Sequence, residues 1–398
     1  MRTQKEIIAK GHLVDSGIMS QILDRIVTSG GNFEILSFRM GKTNEEESTA
    51  KLKVFAPDER KLEFILSGLS DLGCRPAEEV SIILKKAPKD GAAPEGFYST
   101  TNHETWVRLD GNSNKVDEQR MDASIVVKGK RVFCCKLRDL KKGDWVVMGH
   151  EGIRIVPEAK SRDRSEFSFM SNEVSSERKV ELSVKKIAKL LKDKNETLVV
   201  VAGPVVVHTG GGPALCKLLR KGYIKALLAG NALAVHDIEE ALYGTSLGVD
   251  TKTGRPIEHG HQHHMRAINA IRLAGDIPTA VRKGVLKSGI MHQCVKSKVP
   301  FVLAGSLRDD GPLPEVITDF IEAQAAYGKY LKNATVVLML SSMLHSIAVG
   351  NMLPSWVKTI CVDINPAVVT KLSDRGSSQA WGVVTDVGLF LHLLAREL

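Results

Sequence analysis

Uninterrupted apolar runs alternate with helix-like segments along the second half of the chain. The first run starts at Leu198, and the six runs read LVVVAGP, IKALLAG, PFVLAGS, TVVLMLSS, TICVDI and WGVVTD. A strand that is apolar at almost every position has no wet face, which is typical of a parallel sheet covered by helices on both sides. The pattern therefore predicts an α/β domain with a doubly wound parallel sheet over residues 175–398.

The first 90 residues follow a different rhythm. They alternate as strand, helix, strand, strand, helix and strand, and the strands read EIIAKGHL, NFEILSFRMG, STAKLKVFAP and EEVSIILKK. Ser16 and Asp58 are predicted to cap the two helices at their N-termini. This order indicates a ferredoxin-like βαββαβ module over residues 1–90, which either has a packing or dimerisation role or binds a small regulator.

Short strands with tight turns occupy residues 100–158. Glycine-containing turns are predicted at residues 126–130 and 142–144, each between β-branched or aromatic residues. We therefore expect a small β subdomain between the two larger domains.

Charge and composition exclude several classes of protein. The chain has 398 residues and a net charge of +9, but its basic residues are dispersed, so we expect no nucleic-acid partner. No apolar run approaches the ~20 residues that span a membrane, and MRTQKEIIAKGHL lacks a signal-peptide core. The six cysteines show no CxxC spacing, which is typical of reduced thiols in a cytoplasmic protein.

Small or polar residues end each predicted strand, and ligands of open α/β sheets bind outside these carboxyl ends. After the first run come Gly210, Gly211 and Gly212. The last glycine of a G-x-G-x-x-G fingerprint would fall at Leu215, so the triplet fails that pattern. We expect Gly211 and Gly212 to line the crevice as a turn that approaches the ligand closely.

A second strand–turn–helix unit fits a nucleotide better. Asp363 follows Ser342 by 21 residues, near the spacing of about 20 expected for an acid that binds a ribose. Small Ser341 and Ser342 would replace the glycines of the phosphate turn. Asp363 could instead cap the helix that begins after Asn365.

Other polar residues at strand ends leave more than one interpretation open. Asn231 follows the second run, where it could bind a ligand amide or a backbone turn. The pair Asp309 and Asp310 could bind a ribose, a substrate ammonium group or a metal, or form a solvated turn. Asp386 could bind a ligand or cap the last helix.

Four histidines cluster in EHGHQHHMRAIN, at His259, His261, His263 and His264. No nearby acids or cysteines complete a recognised ligand pattern, so we predict no metal site. A histidine here could act as an acid or base, or contact a carboxylate, near neutral pH. Lys287 is a second candidate for acid–base chemistry.

Long stretches of the chain resemble the archaeal-type ornithine cyclodeaminases. These enzymes carry the conserved domain first named after bifunctional lysine-oxoglutarate reductase/saccharopine dehydrogenase. The chain is also similar to the C-terminal part of bifunctional arginine dihydrolase/ornithine cyclodeaminases. The resemblance covers essentially all residues, and its stretches are FSFMSNEVSSERKVE, VAGPVVVHTGGGPAL, LLAGNALAVHDIEEALYGTSLGVD, GHQHHMRAIN, VPFVLAGSLRDDGPLP, LMLSSMLHSIAVGNMLPS, CVDINPAVVTKL and VVTDVG.

The resemblance implies a Rossmann-like domain similar to that of deoxyhypusine synthase, and conversion of L-ornithine to L-proline and ammonia with tightly bound NAD. NAD would take a hydride from the α-carbon, the δ-amino group would replace ammonia there, and the hydride would return. The cofactor positions carried over from the family are Asn231, Ala232, Asp310, Ser342, Met343, Leu344, His345, Asp363, Asp386 and Val387.

The catalytic candidates come from chemistry alone, and they are Asp309, His264 and Lys287. We expect a homo-oligomer, a dimer or a tetramer, with no membrane partner. Three alternatives to a cyclodeaminase stay open. They are a saccharopine- or lysine-type dehydrogenase, an enzyme that transfers an aminopropyl or aminobutyl group as deoxyhypusine synthase does, and a non-enzymatic amino-acid sensor that binds NAD.

Overall fold

A computed structural model describes residues 3–14, 17–41, 46–70, 72–77, 80–156, 176–250, 253, 255, 257, 260–309, 311–374 and 380–398. The chain divides into two compact units. One comprises Met1–Ser168 with Leu353–Trp356, and the other comprises Phe169–Met352 with Val357–Leu398.

The first unit begins with an antiparallel sheet of four strands in the order β2-β3-β1-β4. These strands are β1 (Thr3–Gly11), β2 (Asn32–Arg39), β3 (Ser48–Ala56) and β4 (Cys74–Pro76). Every second residue of β3 is buried, which places one face of the sheet against the helices Ile18–Thr28 and Glu59–Ser70. This topology confirms the predicted ferredoxin-like module. The predicted cap Asp58 accepts a hydrogen bond from Lys61 N at 2.8 Å, whereas Ser16 lies outside the described residues.

One strand of this module was predicted in the wrong place. The fourth strand is Cys74–Pro76, which pairs with β1 through Ile7–Ala9. The predicted strand EEVSIILKK instead contains Ile83–Lys86, which pairs with Trp145–Met148 in the next sheet. The apolar residues of this segment belong to the β subdomain, because Ile82 is buried in its core. The true fourth strand has only three residues and ends in proline, so it has almost no recognisable sequence pattern.

Two small antiparallel sheets complete the described part of the first unit, in the orders β5-β10-β8-β9 and β11-β6-β7. Their strands are β5 (Ile83–Lys86), β6 (Glu104–Leu109), β7 (Asn112–Lys115), β8 (Ser124–Lys128), β9 (Arg131–Cys135), β10 (Trp145–Met148) and β11 (Ile153–Val156). The predicted turn at residues 126–130 begins too early, because residues 126–128 belong to β8, and only Gly129 and Lys130 lie between β8 and β9, where Gly129 adopts a φ of 61°. Such a left-handed φ strains any residue with a Cβ.

The second unit is built on a parallel sheet in the order β17-β16-β13-β12-β18-β19-β20. Its strands are β12 (Leu198–Ala202), β13 (Ile224–Gly230), β16 (Phe301–Ala304), β17 (Val316–Ile317), β18 (Val336–Leu340), β19 (Lys358–Asp363) and β20 (Ala380–Val384). Every residue of β12 and β18 is buried. The six predicted strands and the doubly wound parallel arrangement are confirmed, and the short edge strand β17 is additional.

Helices cover the sheet and extend its hydrophobic core. In the described residues they are Ser176–Leu191, Val205–His208, Gly212–Arg220, Asn231–Tyr243, His263–Ala274, Ile277–Arg282, Ile290–Lys296, Phe320–Leu331, Met343–Gly350, Pro366–Asp374 and Val387–Glu397. A two-stranded ribbon, β14 (Thr245–Ser246) with β15 (Val249–Asp250), follows the fourth of them.

Two of these helices differ from what the apolar pattern suggests. Val205–His208 is helical although it continues the valine run, because Gly203 and Pro204 end the strand and Pro204 precedes the helix. Asn231–Tyr243 begins immediately after β13 and is buried on almost all sides up to Glu239. A helix that is buried on all sides has no polar face, so its apolar residues do not show the 3.6-residue period that predicts a helix.

Candidate functional site

In the parallel sheet of the second unit, β12 and β18 lie side by side. The chain continues from β12 toward β17 on one side and from β18 toward β20 on the other, so the winding of the sheet reverses between these two strands. Ligands of open α/β sheets bind in the crevice outside such a point. Here Gly203 follows β12, and its N–H donates to Leu340 O at 2.9 Å. A Cβ at Gly203 would lie 2.1 Å from Ser341 O, so the backbones approach too closely for any other residue.

Two helices begin at this edge, and the first backbone N–H groups of a helix have no partner within the helix, which favours an anionic ligand. Asn231–Tyr243 starts after β13, and Met343–Gly350 starts after Ser342. Ser341 adopts a φ of 43°, an uncommon value for a residue with a side chain. The turn that replaces the glycine-rich loop is therefore a tight one.

His345 spans this edge from the second helix. Its Nδ1 lies 3.2 Å from Ser342 Oγ, and a Cβ at Gly230 would lie 2.8 Å from its Cε1. Burial lowers the pKa of His345, although the nearby Asp309 carboxylate acts in the opposite direction. The structure thus brings Ser342, His345 and Asp309 together above the end of β13.

Two of the other predicted residues after β13 and β16, Asn231 and Asp309, have defined hydrogen-bond partners. Asn231 is buried, and its Oδ1 accepts from Leu313 N at 3.1 Å, while Ala232 is exposed at the start of the helix. Asp309 accepts from Ser306 N at 2.7 Å and from Ser306 Oγ at 3.1 Å, which forms a local turn. Asp310 lies outside the described residues.

Asp363 lies at the carboxyl end of β19, next to exposed apolar side chains. Its Oδ1 accepts from Asn365 N at 2.8 Å. Met343 is 51% exposed, Leu344 72% and Ile364 70%, although they are large hydrophobic residues. Exposed apolar side chains and an acid at the same sheet edge can bind the flat base and the ribose of a nucleotide.

The glycine turn packs against the start of the last helix. Asp386 caps that helix by accepting from Leu389 N at 2.8 Å, and Val387 is buried. A Cβ at Gly211 would lie 2.9 Å from Leu391 Cδ1, so this glycine is needed for packing. At Gly212 the nearest atom would be Ile290 Cδ1 at 4.0 Å.

The three catalytic candidates are not joined to one another. Lys287 is exposed between two helices, and His264 is partly buried in the first turn of the helix His263–Ala274. No hydrogen bond between described residues links either of them to Asp309. His259 lies outside the described residues, and no group of three or more His, Cys, Asp or Glu within the described ranges is arranged to hold a metal ion.

The helix Asn231–Tyr243 carries buried polar residues that were not predicted from the sequence. His236 and Glu239 are buried one turn apart, with His236 Nδ1 3.2 Å from Glu239 Oε2. Glu239 also binds Thr245, which contacts His263 rather than His264. The signal that could have revealed them is the spacing of three between His236 and Glu239, which places both on one face of a helix.

Asp237, on the same helix, anchors a distant segment. It is fully buried, and its two carboxylate oxygens accept from Ile290 N at 2.6 Å and Met291 N at 2.8 Å. A Cβ at Gly289 would lie 2.8 Å from both oxygens. Burial raises the pKa of Asp237 to about 7, aided by Glu240 and opposed by the two N–H groups.

We expect Asp237→Asn to flatten the dependence of stability on pH. Since the folded pKa of about 7 exceeds the unfolded value, near 3.9, the contribution of this carboxyl is complete below about pH 4 and is lost as the pH rises through about 7. Urea unfolding across this range should show the wild-type free energy of unfolding falling, relative to the variant, by about 1.4 kcal/mol per pH unit. Parallel curves for the two proteins would contradict the assignment.

The fold and this edge define an α/β protein with a Rossmann-type sheet and a candidate dinucleotide site at its winding change. Three sequence families match the chain: the LOR/SDH bifunctional enzyme conserved region over residues 4–103, the arginine dihydrolase ArgZ-like C-terminal first region over 104–184, and the ArgZ-like C-terminal Rossmann fold over 183–394. The chain belongs to the ArgZ-like family of ornithine cyclodeaminases and is an enzyme of that class.

Curated and solved relatives agree with this family. Ornithine cyclodeaminase of Methanocaldococcus jannaschii is 52% identical, over 99% of this chain and 96% of that protein. Apo ArgZ of cyanobacteria is 46% identical with a TM-score of 0.87, over the whole chain and 58% of ArgZ. A ternary complex of AgrE with ornithine and NAD+ is 49% identical with a TM-score of 0.54, over the whole chain and 57% of AgrE.

The chain thus spans little more than half of the bifunctional relatives. No helix in the described parts of the chain is long and apolar enough to cross a membrane.

Proposed function

We propose that this chain converts L-ornithine to L-proline and ammonia, with NAD bound throughout the cycle. The observation that carries the proposal is the similarity along the whole chain to AgrE, whose structure holds ornithine and NAD+. Full-length similarity to proteins named ornithine cyclodeaminase supports the same reaction.

The residues present at the sheet edge fit a dinucleotide. Because Gly203 and Gly230 have no Cβ, the Ser341 backbone and the His345 ring pack directly against the ends of β12 and β13. In the proposed arrangement the carboxylate of Asp363 accepts from the ribose hydroxyls, and the start of the helix Met343–Gly350 binds phosphate. Gly211, Gly212, Asn231, Ala232, Asp310, Asp386 and Val387 complete the proposed cofactor site.

When bound, NAD supplies a hydride acceptor at the substrate α-carbon and returns the hydride later, so no net oxidation occurs. The protein must hold the cofactor, exclude water from the imine and move protons. Both ammonium groups of ornithine must lose a proton before they react, and the departing ammonia must gain one. Asp309, His264 and Lys287 remain proposed catalytic groups for these transfers.

Assembly and location follow as further proposals. We expect a homo-oligomer, and we place the enzyme in the cytoplasm because all six cysteines are free.

The full chain, loaded with NAD and incubated with L-ornithine, is expected to form proline and ammonium in equal amounts without net NADH. Amino-acid analysis, an ammonia assay and absorbance at the NADH band measure the three quantities together. Net NADH with ornithine or lysine would favour the dehydrogenase instead. NAD binding without any product would favour the sensor. A heat-inactivated sample serves as the control.

A further inference from the structure

A buried carboxylate organises a polar network on the helix Asn231–Tyr243. The Glu239 side chain has no solvent exposure. It lies 3.2 Å from His236 Nδ1 and accepts from Thr245 Oγ1 at 2.9 Å. The N–H groups of Leu247 and Gly248 donate to it at 3.2 and 3.0 Å. Burial alone would raise the pKa of Glu239, but these hydrogen bonds outweigh burial and lower it, so the carboxylate is ionised.

The direction of each hydrogen bond in this network follows from the number of available protons. An ionised carboxylate can only accept hydrogen bonds, and a threonine hydroxyl has a single proton. Thr245 therefore donates that proton to Glu239. His263 Nδ1 lies 2.8 Å from the same hydroxyl oxygen. That bond can form only if His263 Nδ1 carries a proton and donates it. The neutral ring therefore has its lone pair on Nε2, which makes Nε2 the basic atom.

The surroundings hold this ring in place. Tyr243 stacks on His263 with centroids 4.9 Å apart and an interplanar angle of 27°. His263 is only partly buried, whereas Thr245 is fully buried. On the other side of Glu239, the His236 ring lies 4.9 Å from the exposed His208. The network thus extends from one buried charge to rings that solvent or a ligand can reach.

The network shares its elements with the proposed cofactor site. His236 and Glu239 lie on the helix that begins at Asn231, and His208 immediately precedes Thr209. A Cβ at Gly388 would lie 2.3 Å from Thr209 O, so this segment also touches the turn after Asp386. A carboxylate that fixes the tautomer of a base through a hydrogen bond is a recurring device in enzymes.

We propose that Glu239 and Thr245 are positioning residues that hold His263 with Nδ1 protonated, so that Nε2 accepts a proton from an ammonium group of ornithine. This inference rests on the proposed function and gives His263 the role of catalytic base. Ornithinium yields proline and ammonium without net uptake or release of protons. The proton that His263 accepts is therefore returned to the departing ammonia.

Thr245→Val tests the link because it removes the hydroxyl and preserves the shape of the side chain. In the full chain with NAD we expect kcat to fall about 100-fold, within the range that general-base catalysis supplies, while KM for ornithine changes less than about threefold. Thr245→Ser should restore kcat to within about tenfold of wild type. Thr253→Val is the matched control, because its exposed hydroxyl donates to Asp250 Oδ1 at 2.9 Å outside the network.

The tautomer of His263 gives a second readout that does not depend on turnover. In histidine-labelled protein, ¹⁵N NMR should show the His263 proton on Nδ1 in wild type and Thr245→Ser, but not in Thr245→Val, with His263→Gln giving the assignment. Wild-type His263 protonated on Nε2 would overturn the inference, as would an unchanged kcat in Thr245→Val. Equal losses of kcat in the valine and serine variants would also overturn it. If wild type has the expected tautomer but forms no proline, the proposed function fails instead.

Discussion

Replacing Gly203 with alanine is expected to destabilise the second unit by about 3 kcal/mol, the upper part of the range for overpacking. The new Cβ would lie 2.1 Å from Ser341 O and 2.9 Å from the carbonyl carbon, and both atoms belong to the backbone. Because φ of Gly203 lies outside the left-handed region, the effect is steric. The strand ends β12 and β18 must separate, and they are the two strands at the winding change.

Calorimetry should detect this as a fall in Tm of about 6–12 °C for a unit of this size. The variant should also retain less NAD after purification, because the crevice between the strand ends would change shape. Gly212→Ala is the matched control for the change in Tm alone, since its nearest contact would be Ile290 Cδ1 at 4.0 Å. If Gly203→Ala unfolds at the same temperature as Gly212→Ala, the backbones of Gly203 and Ser341 are not in close contact.

Replacing Asp363 with asparagine is expected to raise the Kd for NAD about 10- to 100-fold. The variant keeps an oxygen that can accept from Asn365 N, so the local turn at 2.8 Å is preserved. It loses the carboxylate that would accept hydrogen bonds from two ribose hydroxyls, and a hydrogen bond to a charged group contributes about 1.5–3 kcal/mol. A factor of ten in Kd corresponds to about 1.4 kcal/mol.

Isothermal titration of NAD into cofactor-free protein measures this change. Asp319→Asn is the appropriate control, because Asp319 accepts from Ile321 N and Glu322 N in a similar turn on a helix outside the proposed site. Asp319→Asn should leave the Kd for NAD unchanged. An unchanged Kd in Asp363→Asn would assign Asp363 to the turn alone and remove it from the cofactor site.

The strands of the parallel sheet could be predicted from the sequence because each buried position requires an apolar residue. Each residue of β12 and β18 is buried on a two-sided sheet, so the apolar run is itself the evidence for the strand. The same reasoning placed Asp363 and Ser342 at strand ends. It failed at Cys74–Pro76 and at Val205–His208, where a short strand and a short helix depend on their neighbours and have no pattern of their own.

The polar network around Glu239 could not be predicted as a whole, because its links from Glu239 to Thr245 and from Thr245 to His263 join separate elements. Glu239 meets Thr245 and Thr245 meets His263, and these contacts exist only because β14 and the helix His263–Ala274 pack beside the helix Asn231–Tyr243. Consecutive residues of a helix point about 100° apart. Either His263 or His264 could therefore have faced Thr245, and the sequence had no means of choosing between them.

What the sequence determined by itself is the parallel α/β sheet, the ferredoxin-like module, the family, and the set of small and polar residues at the strand ends. What only the tertiary structure decided is the contact of β12 with β18 at Gly203, the position of His345 over Gly230, and the joining of His263 to Glu239 through Thr245. The pattern of apolar residues along the chain shows directly which positions are buried. Hydrogen-bond partners and close backbone contacts depend instead on where distant segments meet after packing.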